Sequence, residues 1–140
     1  PNNDTCKEVV GIHSGNSFPL LLKSNYKNGL VYILTVPNNY SDFYNYPREA
    51  LGMLRRFMLS DMPVTLDAPS GVSLFLYDNN RLIVHSFLSH NARIGIQVKS
   101  KDAELFDVMR GRNVRGVEKR GRTVFETFVA PHTSHVYKIK

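Results

Sequence analysis

The hydrophobic rhythm of the chain changes near Pro63. Upstream, two apolar runs, Leu20–Tyr26 and Leu30–Val36, flank Lys27-Asn28-Gly29, and one segment of helical period follows. Downstream, apolar and polar positions alternate in short stretches to the last residue. Period two sends successive side chains to opposite faces of a strand, whereas a spacing of three and four stacks them on one face of a helix.

The two upstream runs predict a hairpin, because Asn-Gly tolerates the positive φ of a type I′ turn. Val31, Ile33 and Thr35 share one face, and Leu30, Tyr32, Leu34 and Val36 the other. Both faces are apolar, which predicts cover on both sides, as in a sheet flanked by helices. Residues 1–17 are polar and rich in Gly, Asn and Ser, so a frayed or looping lead-in is expected. After Pro37-Asn38-Asn39 comes an aromatic loop with Tyr40, Phe43, Tyr44 and Tyr46. Pro47 suits a first helical turn, Glu49 suits its positive end, and Arg55 and Arg56 suit the last turn. Ala50, Leu51, Leu54, Phe57 and Met58 fall at helical spacing, and Asp61-Met62-Pro63 ends the helix over Pro47–Leu59.

Beyond Pro63, Val72, Leu74 and Leu76 alternate with Ser73, Phe75 and Tyr77, and Asp78-Asn79-Asn80 turns the chain into Leu82–Leu88. Ile94, Ile96 and Val98 alternate with Arg93, Gly95, Gln97 and Lys99. Further strands are predicted near Leu105–Val108, Val114–Glu118, Arg122–Val129 and His135–Ile139. Short strands with regular turn signals predict an antiparallel sandwich. The expected class is α+β, mainly β: a hairpin-plus-helix unit over 1–62, the edge or remnant of an α/β unit, and a β-sandwich over 63–140.

Composition narrows this picture without changing it. A chain of 140 residues with 42% apolar and 21% charged residues fits one domain or two small units and excludes a disordered chain. The longest apolar runs have strand length, so none spans a bilayer as a helix and no membrane partner is expected. Cys6 is the sole cysteine, which rules out an internal disulfide. No secretory signal is visible, and the first residue is Pro1 rather than Met, which suggests a processed or excised piece of something longer. A cytoplasmic setting is favoured, with a periplasmic or extracellular one left open; only in the latter would the triplets at Asn3 and Asn39 matter as glycosylation sites.

The net charge of +6 is concentrated in Arg110, Arg112, Arg115, Lys119, Arg120 and Arg122, a Gly-interleaved stretch that reads as a solvated hairpin or as an anion-binding patch. Nucleic acid is the less favoured partner. Tyr40, Phe43, Tyr44 and Tyr46 could stack on sugar faces, with Asn38, Asn39, Asp42 and Asn45 supplying hydrogen bonds, or lock the loop onto the helix and the neighbouring sandwich.

A catalytic constellation is missing. Glu126 alone among the acids lacks an obvious local role, and an edge position or an Arg partner explains it; one carboxylate does not make a glycosidase. His132 and His135 lack further ligands at metal spacing, and His85 reads as structural. Ser14 misses the nucleophile-elbow spacing, Cys6 has no activating partner, and Gly111 and Gly116 frame Val117-Glu118 where a phosphate loop needs Lys-Ser/Thr. No cofactor or metal is expected.

The segments Val72–Asn79, Leu82–Phe87, Leu105-Phe106-Asp107-Val108-Met109-Arg110-Gly111, Val124–His132 and His135–Ile139 resemble the closing β-sandwich of multidomain bacterial glycoside hydrolases, β-galactosidase-like ones among them. Tyr26–Leu34 looks like the last hairpin of the amidotransferase-like α/β domain that precedes such sandwiches. The resemblance covers most of residues 19–140. It implies a non-catalytic accessory region whose partner is an upstream catalytic domain or a neighbouring subunit, and it carries over no catalytic residue. A carbohydrate-binding module and a basic polyanion binder are the alternatives.

Overall fold

The computed structural model describes residues 6–11, 19–36 and 38–140, with the side chains of residues 6–11 and of Phe43 and Tyr44 outside that description. His13, Ser14 and the Asn3 triplet lie outside the described residues. The chain forms two compact units, Pro1–Met58 and Leu59–Lys140.

In the first unit, β1 (Cys6–Gly11), β2 (Pro19–Tyr26) and β3 (Gly29–Leu34) form an antiparallel sheet in that order. The lead-in is therefore no loop throughout: Cys6 pairs with Ser24 and Gly11 with Pro19, across register shifts around Val10. The six residues of β1 carry little alternation of their own, and pairing with the apolar β2 decides their conformation. The β2–β3 hairpin also departs from expectation. Tyr26 pairs with Gly29, and the positive φ falls on Lys27 (51°) rather than on the Asn-Gly pair. A two-residue loop with positive φ only at its first central residue is the type II′ pattern, not I′.

Helix α1 (Arg48–Met58) starts one residue after Pro47, whose carbonyl accepts from the Leu51 amide at 3.1 Å. Ala50, Leu51 and Leu54 are buried against Leu20 and Leu21, with Leu34, Tyr46, Met53 and Phe57 around them. Met58, expected on this face, is 73% exposed at the last residue of the helix. Leu20 and Leu21 are consecutive, so both faces of β2 are covered at that end. β3 is not: Leu30, Val31, Tyr32 and Ile33 are all exposed, so the expected two-sided cover is absent from this strand. The cause is placement. β3 is the sheet edge, and one helix covers only one patch.

The second unit is an antiparallel β-sandwich. One sheet has the order β10 (Gly116–Lys119), β11 (Arg122–Val129), β7 (Ala92–Val98), β4 (Val64–Asp67). The other runs β5 (Val72–Leu76), β6 (Arg81–Ser86), β12 (Ser134–Ile139), β8 (Leu105–Asp107), β9 (Arg112–Val114). Ile94, Ile96, Val98, Phe125 and Val129 of the first sheet join Val72, Leu82, Val84, Leu105 and Tyr137 of the second in one core. The predicted alternation is visible directly: Val72 is buried while Phe75 and Tyr77 stand in solvent. The predicted strand Val114–Glu118 divides at Arg115, its ends belonging to different sheets.

Candidate functional site: a basic corner of the sandwich

Two turns and one crossing between sheets set the basic stretch in place. Between β8 and β9, Asp107 is buried and its Oδ1 accepts from the amides of Met109 (3.1 Å) and Arg110 (3.0 Å), while its carbonyl accepts from Gly111 (2.9 Å). Gly111 takes φ 64°, a conformation that suits a residue without Cβ. Asp107 and Gly111 thus fix the two ends of this turn. At Arg115 the chain leaves one sheet for the other. Between β10 and β11, Arg120 and Gly121 both have positive φ (51° and 76°), which makes a type I′ turn with Lys119 opposite Arg122.

The result is a corner with two hollows. One, of about 220 Å³, is lined by Asp107, Arg110, Arg112, Arg115, Glu126 and Thr127, among others. The second, of about 320 Å³, lies against Arg115, Val117, Lys119, Val124 and Glu126. Four of the six sequence-predicted cations thus converge: Arg110, Arg112, Arg115 and Lys119. The other two do not line either hollow. Arg120 sits in the turn, and Arg122 donates from Nη2 to the Ser60 carbonyl at 3.3 Å.

The acids at this corner are engaged. Arg110 Nη1 lies 3.7 Å from Asp107 Oδ2. Glu126 accepts from Arg93, and Lys119 Nζ stands 4.0 Å from its other oxygen. The hydrogen bond from Arg93 and its charge hold the Glu126 carboxyl below the usual carboxylate range, against a small opposing effect of burial and with help from Lys119. A glycosidase acid needs the opposite displacement, a carboxyl kept protonated near neutral pH. Glu126 remains an acceptor, and the Arg partner expected from sequence is Arg93.

Behind the corner, His135 and Tyr137 are buried on the inner face of β12, their rings stacked with centroids 6.2 Å apart. Burial lowers the His135 pKa, the Arg110 charge lowers it further, and Asp107 opposes them. Burial and the Asp107 charge raise the Tyr137 pKa, with Arg110 and Thr127 pulling slightly the other way. Neither ring nitrogen of His135 nor the Tyr137 hydroxyl has a hydrogen-bond partner of ordinary geometry among the described residues. His132 takes φ 49° in the β11–β12 turn, and no three His, Cys, Asp or Glu side chains gather as metal ligands among the described residues. His85 engages Ser134 Oγ at 2.8 Å across the β6–β12 ladder.

The aromatic segment forms a short 3-10 turn over Tyr40–Asn45 in the first unit. Asn39 Oδ1 accepts from Ser41 N and Oγ (3.3 and 2.7 Å), and its Nδ2 lies 3.5 Å from Asp42 Oδ1, so these polar groups serve the turn itself. Tyr46 packs on the helix cluster, Tyr40 is 65% exposed, and the side chains of Phe43 and Tyr44 lie outside the described residues. Sequence reading missed Arg93, Asn113 and Thr127 at the basic corner, because strand register places them and register is not written in any local motif.

No curated protein and no solved structure matches the chain. A family model described as "Probable glycosyl hydrolase, C-terminal domain" matches residues 63–139, which takes in every strand of the sandwich from Val64 to Ile139. The chain belongs to this family of glycosyl hydrolase C-terminal domains.

Proposed function

We propose that the chain is a non-catalytic accessory region of a larger carbohydrate-active protein, and that its first unit docks against the catalytic domain preceding it. The observation that carries this reading is β3. Among the described residues it is an edge strand with no pairing strand on its outer side, and its Leu30–Ile33 side chains are apolar and exposed on both faces. Natural proteins blunt such edges with charge, proline or a covering element, and β3 carries neither charge nor proline. Its geometry fits strand addition, in which a neighbour's backbone supplies hydrogen bonds and its side chains cover the alternating faces. The commitment of Asp107 and Glu126 to structural partners supports the absence of glycosidase chemistry in the second unit.

Hydrogen exchange tests this directly. The β3 amides not bonded to β2 should exchange freely in the isolated chain and become protected in the full-length protein. Equal exchange in both would reject docking through β3, and glycosidase activity from the isolated chain would reject the non-catalytic role.

A further inference from the structure

The charges at the sandwich corner do not balance locally. Asp107 is taken by Arg110 and two backbone amides, and Glu126 by Arg93 and Lys119. Arg112 and Arg115 make no ion pair with any described residue, yet both line the 220 Å³ hollow. Like charges drawn to one hollow repel unless an anion or water intervenes. A guanidinium presents its N–H donors in a planar fork that matches a carboxylate or sulfate group two bonds at a time. Thr127 and Asn113 in the same hollow add neutral donors and acceptors of the kind that pair with sugar hydroxyls. Val117 and Val124 give the adjoining hollow an apolar floor, against which the C–H face of a sugar ring can lie. The 220 Å³ hollow is smaller than the ~300–1,000 Å³ of sites for drug-sized ligands, which suits one charged sugar unit at a time. No aromatic ring lines either hollow, so the stacking platform used for single-stranded nucleic acid is missing.

We propose that this corner is an anionic-sugar site. The acidic group sits between Arg112 and Arg115, and the ring extends past Arg115 over Val117 and Val124. The site belongs to the sandwich and stands independently of what covers β3. Carboxylate and sulfate share the recognising chemistry, so the ligand class is a glycan bearing either.

Calorimetric titration of the full chain tests it. The ligands are a uronate-containing oligosaccharide, a sulfated one, a neutral one of equal length and a single-stranded oligonucleotide. At least one acidic saccharide should bind about tenfold or more tightly than the neutral one, and comparing the two acidic ligands tells carboxylate from sulfate. Arg112→Gln with Arg115→Gln should weaken that binding about tenfold or more at unchanged melting temperature, while Lys101→Gln leaves it intact. Should the double variant melt early, Arg112→Lys with Arg115→Lys keeps the charge, loses the fork and should still bind more weakly. No saccharide binding, tighter binding of the oligonucleotide, or undiminished affinity in a folded double variant would each overturn the proposal.

Discussion

Gly116 stands directly opposite Phe125 in the β10–β11 ladder, and the Phe125 ring occupies the space a Cβ on Gly116 would need. That Cβ would fall 2.7 Å from Phe125 Cε1 and 2.6 Å from Thr123 Cγ2, both far inside contact distance. The glycine thus lets the core ring close over the strand just where the chain crosses between sheets. Gly116→Ala should cost about 1–3 kcal/mol, as other overpacked sites do. A urea melt of the sandwich checks it, and an unchanged midpoint would mean that the ring has free room to move.

Tyr137 is buried with a hydroxyl that makes no hydrogen bond of ordinary geometry. An unsatisfied buried polar group costs about 1–3 kcal/mol, so Tyr137→Phe should stabilise the sandwich, by about 1 kcal/mol. Thermal melts of the two proteins decide this. A loss of similar size would instead reveal a working bond between the phenol and Thr127.

His135 gives the sandwich a pH dependence of known sign. Its pKa is lowered in the fold, first by burial and then by Arg110, so the unfolded chain takes up the proton before the folded one does. The stability it contributes is present above the ordinary histidine value of about 6.5 and drains as pH falls through the lowered folded value. Melting temperatures from pH 8 to pH 5 should therefore fall on acidification. His135→Phe should flatten that slope; an identical slope would place the titrating group elsewhere.

Lys27 holds φ 51° at the first central position of the β2–β3 turn, where glycine is favoured. Lys27→Gly removes the clash of a Cβ at positive φ and should gain about 0.5–1 kcal/mol in the first unit. Slower amide exchange along β2 and β3 is the readout, and faster exchange would contradict the turn assignment.

The sandwich was legible because its strands alternate cleanly: Val72, Leu74 and Leu76, or Ile94, Ile96 and Val98, announce their buried face without help. The helix was legible for the same reason at period 3.6. β1 was not, since its six residues take their conformation from β2 and only pairing reveals it. The Asn28-Gly29 pair misled about turn type, because the pairing of Tyr26 with Gly29 shifts the loop back by one residue. The basic corner was half legible. Composition pointed to the cations between Arg110 and Arg122, but which of them converge depends on the sheet change at Arg115, and the Arg93 partner of Glu126 comes from far away in sequence.

The final strand, β12, lies in the middle of its sheet, with β6 on one side and β8 on the other. During synthesis, every earlier strand of the sandwich leaves the ribosome before the one that must be inserted between its neighbours. Until Ile139 has cleared the exit tunnel, that sheet is two separate pieces and the greasy interior lies open. Closure of that sheet is therefore a late event, and a nascent chain stalled before Ser134 should expose the apolar surface that invites aggregation.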